Sequence, residues 1–178
     1  MRYKDANIES CDPQIKKIIT QNIKENIDSY NHKTYSLDKG ILFYGDTGRG
    51  KTYTMHAIKK WLGHSFETSA ITTWSEILFN MRLYYTDPKA NKNEIELLKD
   101  KKVIFVDDLG AEQKTEHNLD LLYMLVDHCY IYEKALFLST NLQLEAFVEK
   151  YGDRIATRIL EMSNKFEIVG SNKRLEKK

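Results

Sequence analysis

The sequence predicts an α/β fold, a three-layer αβα sandwich in which helices cover both faces of a five-stranded, mostly parallel sheet. Segments with the apolar pattern of strands alternate along the chain with longer segments of helical periodicity, and this alternation is typical of parallel sheets. The run from Val103 to Val106 is continuously apolar and rich in β-branched residues, as expected for a strand buried on both faces.

The length and composition are those of one globular domain, which we expect to span residues 1–178. Lys and Arg together number 27 and Asp and Glu number 26, so no general positive charge indicates a nucleic-acid partner. Cys11 and Cys129 lie far apart and outside any metal-binding spacing. No apolar stretch has the length of a membrane span and no signal peptide follows Met1, so we expect a cytoplasmic protein.

The first 39 residues are predicted to form a helix and a loop. Asp12 and Pro13 are typical of a helix start, with Asp12 as the N-cap. Isoleucines then recur near one helical face, at positions 15, 18, 19, 23 and 27. The polar stretch from Ser29 to Lys39 is predicted to be a loop that leads into the core.

The predicted core covers residues 40–170 and is followed by a charged tail at 171–178. Strands are predicted at 41–44, 66–71, 103–106, 135–138 and 166–169. A capping box, Thr73 to Glu76, opens one helix, which runs to about Tyr85. The remaining helices are predicted at 53–62, 94–100, 115–133, 144–150 and 153–162.

The segment from Gly45 to Thr52 fits the phosphate-binding pattern G-x-x-x-x-G-K-[ST], between a predicted strand and a predicted helix. Its glycines let successive backbone N–H groups converge on phosphate oxygens. Lys51 supplies a positive charge for the β and γ phosphates, and the Thr52 hydroxyl is placed to ligate Mg²⁺. The pattern therefore predicts a P-loop that binds a nucleotide together with Mg²⁺. The predicted nucleotide contacts are Gly45, Asp46, Thr47, Gly48, Arg49, Gly50, Lys51, Thr52 and Tyr53.

Polar residues follow two other predicted strands and should meet the phosphate loop at one edge of the sheet. Asp107 suits the position that holds Mg²⁺, and Asp108 can polarise the water that attacks the γ phosphate. Asn141 can donate a hydrogen bond to that water or to a γ-phosphate oxygen. The alternative is that these residues only begin turns, which Asn and Asp also favour.

Arg154 and Arg158 are spaced i, i+4 and share one face of a predicted helix. One interpretation is an arginine finger that reaches the γ phosphate of a neighbouring subunit. The other is a surface face held by salt bridges, with Glu161 nearby.

Five segments, in order, carry a family resemblance: GDTGRGKT, VIFVDDLG, LSTNL, YGDRIATRIL and GSNKR. This order resembles the AAA+ ATPases of the DnaC/DnaI helicase-loader and IstB transposition-helper group, over nearly the whole chain. The resemblance implies an AAA+ core with Gly45 to Thr52 as Walker A, Asp107 and Asp108 as Walker B, and Asn141 as sensor 1. It also implies that Arg158 is an arginine finger acting on an adjacent subunit and that Arg174 is a sensor-2-like arginine.

The same resemblance implies an ATP hydrolase that forms a homo-oligomer, engages a replicative DNA helicase and binds single-stranded DNA during DNA replication. Exposed-loop candidates for the DNA contact are Lys89, Lys92, Lys114 and His117. The sequence departs from the group in three respects, one of which is that it stops soon after Arg174, so we expect little room for a C-terminal partner-binding element. Its ATPase core begins almost at Met1, so we expect no N-terminal helicase-binding domain, and Cys129-Tyr130 stands where the group tends to have an Arg before the Tyr.

Three alternatives remain open from the sequence. The chain could be an IstB-like transposition helper, which shares the same motifs. It could be a binding module that inhibits a host helicase or loader, which the expected lack of an N-terminal domain would suit. A small-molecule kinase also uses a phosphate loop, although it needs an Arg-rich lid over its acceptor.

Overall fold

The computed structural model describes residues 3–27 and 33–172. In chain order the strands are β1 (Ile23–Ile27), β2 (Lys33–Leu37), β3 (Gly40–Tyr44), β4 (Thr68–Thr73), β5 (Val103–Leu109), β6 (Ala135–Thr140) and β7 (Ser163–Glu167). The helices are α1 (Pro13–Gln21), α2 (Lys51–Leu62), α3 (Trp74–Thr86), α4 (Glu94–Lys99), α5 (Glu116–Ile131) and α6 (Leu144–Met162), with short 3₁₀ helices at Ile8–Ser10 and Gly63–Phe66.

The main sheet has five parallel strands in the order β4-β5-β6-β3-β7. Alternate residues of β5 enter two separate apolar clusters. Ile104 and Val106 pack with α3, α4, α5 and α6, whereas Val103 and Phe105 pack with α1 and α2. The predicted three-layer α/β fold with a five-stranded parallel sheet is therefore confirmed.

The N-terminal region differs from its prediction. Helix α1 ends at Gln21, and β1 pairs antiparallel with β2 in a separate two-stranded sheet, with Ile23 opposite Leu37. A helix through Ile27 and a loop up to Lys39 were both wrong, apart from residues 28–32, which lie outside the described part of the chain. The isoleucines at 23 and 27 fit the helical spacing of four, but they also fit a strand period of two. Pairing with β2 decides between these patterns.

Several predicted boundaries shift by a few residues. Strand β4 begins at Thr68 because a 3₁₀ helix occupies Gly63–Phe66, and β7 begins at Ser163 rather than at 166. The segment that we label α6 contains the two helices predicted at 144–150 and 153–162, because Gly152 between them has a non-helical backbone conformation (φ 73°, ψ 162°). The capping box at Thr73 is present, since the Thr73 side chain accepts a hydrogen bond from the Glu76 N–H at 3.2 Å. No helix within residues 3–27 and 33–172 is long and apolar enough to cross a membrane.

Candidate nucleotide-binding site

A cavity of about 730 Å³ lies at the carboxyl ends of β3, β5 and β6. The phosphate loop lines one side of it through Thr47, Gly48, Gly50, Lys51, Thr52 and Tyr53. The strand ends line the other side through Asp107, Asp108, Ser139 and Asn141. Ligands of parallel α/β sheets bind at this position. The structure thus brings together the predicted residues of three separate motifs.

Lys51, at the start of α2, is only 6% exposed. Its ammonium group donates to the backbone oxygen of Gly45 at 2.6 Å, to that of Asp46 at 2.8 Å and to Asn141 Oδ1 at 2.7 Å. These three acceptors match the three N–H donors of a lysine. They compensate the burial of the charge and fix its position at the cavity.

Thr52 and Asp107 place two oxygen donors side by side. The Thr52 hydroxyl donates to Asp107 Oδ2 at 2.8 Å, and the Ser139 hydroxyl donates to the other carboxylate oxygen, Oδ1. A hydroxyl beside one carboxylate fits Mg²⁺, which is bound through few protein oxygens and completes its shell with phosphates and water. In the described part of the chain, no group of three or more His, Cys, Asp and Glu side chains is placed to hold a metal ion.

Asp108 has an unusual backbone conformation, with φ at +56°. Its N–H donates to Ser139 Oγ at 2.9 Å, and its Oδ1 accepts a hydrogen bond from Asn141 Nδ2 at 2.8 Å. Because Asn141 also accepts from Lys51, the three side chains form one continuous hydrogen-bonded chain across the cavity. A positive φ at a residue other than glycine is uncommon, and it persists here where Ser139 and Asn141 hold Asp108.

Ser139 is a site residue that the sequence did not single out. It is 1% exposed and contacts both aspartates, donating to Asp107 and accepting from the N–H of Asp108. Its only sequence signal is its position at the polar end of β6, two residues before Asn141.

The phosphate loop is contacted by Asn172, which lies in the GSNKR segment of the family resemblance although no role was predicted for Asn172 itself. Gly48 has φ at +83°, and a Cβ atom at this position would lie 2.0 Å from Asn172 Oδ1. The Asn172 side chain therefore packs directly on the Gly48 backbone, and the positive φ at this position favours glycine. Arg174, predicted to act nearby, lies outside the described residues.

The N-terminal segment closes another side of the cavity, through Tyr3, Asp5 and Ala6. The Tyr3 ring stacks on His56 with centroids 4.5 Å apart, and burial lowers the pKa of His56. The Tyr53 hydroxyl donates to the backbone oxygen of Asp5 at 3.3 Å. These contacts tie α2 to the segment that precedes α1, although no motif pointed to them.

Gly45, Asp46 and Arg49, three of the predicted nucleotide contacts, make contacts within the phosphate loop. Asp46 and Arg49 form an ion pair of 3.1 Å with each other, and the Asp46 side chain is 70% exposed. Gly45 contributes its carbonyl oxygen to Lys51. The described contacts thus give Asp46 and Gly45 a role in fixing Lys51 through their backbone.

Arg154 and Arg158 lie away from this cavity, on the surface between α5 and α6. Arg158 Nε is 3.1 Å from Asp127 Oδ1, and Arg154 Nη2 donates to the Tyr123 hydroxyl at 2.7 Å. The Arg154 guanidinium stacks 3.8 Å from the centroid of the Tyr123 ring. The expected salt-bridge partner, Glu161, instead accepts a hydrogen bond from the Tyr130 hydroxyl at 3.0 Å.

The four candidates for DNA contact are exposed, and none of them is among the residues that line the cavity. Lys89, Lys92, Lys114 and His117 are all exposed. Lys114 donates to the backbone oxygen of Glu149 at 3.0 Å, and His117 packs beside Tyr85 with ring centroids 5.7 Å apart.

The strand order, the phosphate loop and the paired aspartates at the end of β5 give this chain the fold of a P-loop NTPase core. Solved structures share this fold. The DnaC helicase loader matches with a TM-score of 0.71 at 19% identity, over 94% of this chain and 99% of that one. The replication initiator DnaA bound to AMPPCP and single-stranded DNA matches with a TM-score of 0.72 at 16% identity, over 96% of this chain and 51% of that one.

Curated relatives agree with these structures. The chain is 25% identical over 166 residues to the phage-like element PBSX protein XkdC of Bacillus subtilis, covering 88% of this chain and 60% of XkdC. It is 23% identical over 167 residues to the replicative helicase loader DnaI of the same organism, covering 86% of this chain and 53% of DnaI. An uncharacterized Escherichia coli protein, YdaV, is 24% identical over 117 residues, which are 66% of this chain and 47% of YdaV.

The chain thus spans about half the length of the curated relatives that it matches. No protein-family model matches it. The resemblance to the DnaC and DnaI loaders that the motifs indicate is confirmed by these neighbours.

Proposed function

We propose that this protein is an AAA+ ATPase that binds ATP with Mg²⁺ and acts like DnaC and DnaI, as a replicative helicase loader in DNA replication. The observation that carries the proposal is the hydrogen-bonded chain from Lys51 through Asn141 to Asp108 across the cavity. It joins a phosphate-binding lysine to a carboxylate through an amide, beside the oxygen pair of Thr52 and Asp107.

The phosphate loop binds the nucleotide. Backbone N–H groups at the start of α2 contact the phosphates, where the helix dipole favours negative charge. Lys51 binds the β and γ phosphates, in exchange for part of its present hydrogen bonding. Thr52 and Asp107 hold Mg²⁺, which neutralises charge on the phosphate oxygens when it is bound.

Hydrolysis needs a water molecule in line with the bond between the β and γ phosphates. Asp108 accepts a proton from this water molecule, and the oxygen of the water forms a bond to the γ phosphorus. The bond to the bridging oxygen breaks, and ADP and inorganic phosphate leave. Asn141 donates to the Asp108 carboxylate and so orients it toward the water.

Arg158 completes the site of a neighbouring subunit in this proposal. It contacts Asp127 of its own chain. In the part of the chain that the structure describes, Arg158 is not among the residues that line the cavity. A trans arginine finger therefore requires a homo-oligomer, in which loss of the γ phosphate weakens the contact between subunits. The likeness to the loaders DnaC and DnaI supports a replicative helicase as partner, and the DnaA complex with single-stranded DNA supports a DNA ligand.

The nucleotide assignment is tested with Lys51→Ala, with Lys60→Ala as an exposed control on the same helix. The unchanged protein and the control should bind and hydrolyse Mg·ATP. Lys51→Ala should lose at least about tenfold in affinity and most of its turnover, because the phosphate charge loses its partner. Absence of ATP binding to the unchanged protein would overturn the assignment.

The loader role is tested by capture of purified replicative helicase with Mg·ATP present, and by ATPase measurements with and without single-stranded DNA. We expect helicase capture and a turnover rate that responds to DNA. Capture of a transposase in place of the helicase would support the transposition-helper alternative and contradict the loader role.

A further inference from the structure

Glu112 lies in the turn that follows β5, residues 110–114, which we term the β5 turn. Its side chain is only 5% exposed. One carboxylate oxygen, Oε2, accepts the N–H of Gly110 at 2.9 Å, and the other, Oε1, accepts the Tyr151 hydroxyl at 2.7 Å. Buried carboxylates require such partners. Glu112 therefore joins the backbone of the turn to α6.

Lys150 makes a second connection between the same two elements. Its ammonium group donates to the backbone oxygens of Gly110 and Glu112, both at 2.7 Å, and lies 3.5 Å from Glu112 Oε1. The opposite charges compensate each other where little solvent reaches either side chain. Tyr151 thus binds the Glu112 carboxylate, and its neighbour Lys150 binds two backbone carbonyls of the turn.

The β5 turn begins two residues after Asp108, whose φ of +56° is uncommon for a residue other than glycine. Gly110, the first residue of the turn, has φ at +108°, which glycine adopts without strain. A Cβ at Gly110 would lie 3.0 Å from the Leu142 side chain, so the turn is also sterically confined. A strained conformation persists only where surrounding contacts hold it. Ser139 and Asn141 hold Asp108 directly, whereas Glu112 and Lys150 hold the turn that follows it.

We term the contacts of Glu112 with Lys150 and Tyr151 the clamp. The α6 segment carries Lys150 and Tyr151 and also the predicted arginine finger, Arg158. Lys150 and Tyr151 lie directly before the kink at Gly152, and Arg154 and Arg158 lie after it. The contacts with the β5 turn therefore lie directly before the non-helical Gly152, and Arg158 lies in the helical segment after it.

We propose that Glu112 is a positioning residue that, through Tyr151 and Lys150, fixes Asp108 relative to α6 and thereby couples the state of this nucleotide site to the helix that carries Arg158. The proposal rests on the proposed function for the chemistry of Asp108 and Arg158. The mechanical part, that Glu112 orders the β5 turn, stands on the contacts alone.

The mechanical part is tested by amide hydrogen exchange on the full chain without nucleotide. Glu112→Gln keeps the shape but removes the charge and one of the two acceptor oxygens, and Tyr151→Phe removes one donor. Both should raise exchange in peptides that cover residues 107–112 by about tenfold. The exposed controls Glu145→Gln on α6 and Tyr132→Phe should leave it unchanged. Unchanged exchange in both clamp variants would overturn the proposal.

The coupling is tested with Mg·AMPPCP. In the unchanged protein its binding should alter exchange in residues 153–162, and this response should be lost in Glu112→Gln. In Glu112→Gln, the turnover of ATP should fall about tenfold, while the dissociation constant for Mg·AMPPCP should change less than about threefold. Lys150→Arg should retain most of the turnover that Lys150→Met loses, since it keeps charge and donors. If Glu112→Gln lost affinity and turnover equally and also had a lower melting temperature, Glu112 would contribute only to the stability of the fold.

The two proposals fail separately. A protein that neither binds nor hydrolyses ATP overturns the proposed function, whereas the exchange measurement without nucleotide still decides whether Glu112 orders the turn. A protein that hydrolyses ATP equally well with Glu112→Gln and with Glu145→Gln retains the function and loses this inference.

Discussion

Arg158 Nε lies 3.1 Å from Asp127 Oδ1, so the predicted arginine finger is already paired within its own chain. Its guanidinium also lies 5.4 Å from the centroid of the Tyr123 ring and 5.5 Å from that of Tyr130. These contacts reduce the rotamer entropy that a long side chain loses on docking. Asp127 thus presents Arg158 at the surface between α5 and α6 before any neighbour arrives.

Replacing Arg158 by Ala should leave ATP binding nearly unchanged and lower turnover by about a thousandfold, the loss typical of an arginine finger. Arg82→Ala, an exposed arginine on α3, is the control. Mixing Arg158→Ala with Lys51→Ala should restore part of the activity, because one variant keeps the intact loop and the other keeps the finger. No recovery in mixtures that still assemble would contradict action between subunits.

The two aspartates of β5 should separate into binding and turnover roles. Asp107→Asn should raise the Mg²⁺ concentration needed for half-maximal ATP binding by about tenfold, since it weakens the oxygen pair with Thr52. Asp108→Asn should bind Mg·ATP normally and lose at least about a hundredfold in turnover. Titrations of Mg²⁺ and single-turnover kinetics measure these effects. The same phenotype in both variants would refute the division.

Ser139→Ala should destabilise the fold by about 1–3 kcal/mol, because it leaves the N–H of Asp108 and one oxygen of Asp107 without this partner in a buried site. Denaturant unfolding measures the loss, and Ser75→Ala at an exposed position of α3 is the matched control. We also expect slower turnover, since both aspartates lose a common support. A difference from the control near zero would show that the Ser139 contacts are not energetically significant.

The thiol of Cys129 should make stability depend on pH in the alkaline range. Burial raises its pKa from 9.0 to about 12, against the opposing effect of Lys134 and Lys99. Between these values the unfolded chain loses the proton and the folded chain keeps it. The free energy of unfolding should therefore fall as pH rises above 9.0, by up to about 1.4 kcal/mol per pH unit from this group, with no contribution to the slope below it.

Urea unfolding of the unchanged protein and of Cys129→Ala measures this contribution as a difference in slope, which removes the effect of other groups that titrate in the range. Cys11→Ala, at a less buried cysteine, should keep the slope of the unchanged protein. If the free energy of unfolding had the same dependence on pH in all three proteins, the pKa of Cys129 would be the same in the folded and the unfolded chain.

The sequence predicted the parts of the site that depend on local pattern. The spacing from Gly45 to Thr52 and the apolar strand before Asp107 each carry their information within a few residues, and the parallel sheet brings their ends together. The site roles themselves remain predictions, which the variants above test.

What the sequence could not predict depends on contacts between distant segments. Glu112 and Tyr151 are 39 residues apart, and nothing near either one indicates the other. The helix predicted through Ile27 failed for a related reason: its local period fits two structures, and pairing with β2 selects one. Asn172 on Gly48 is a further contact without a local signal.

The two ends of the described chain meet at the same place. Tyr3 lines the cavity and Asn172 rests on the phosphate loop at Gly48. Labels attached near these residues would both lie beside the cavity, so a fluorophore pair there can serve as an optical sensor of ligand occupancy. By the same geometry, a purification tag fused near either position is a potential source of interference, and kinetic work calls for its removal.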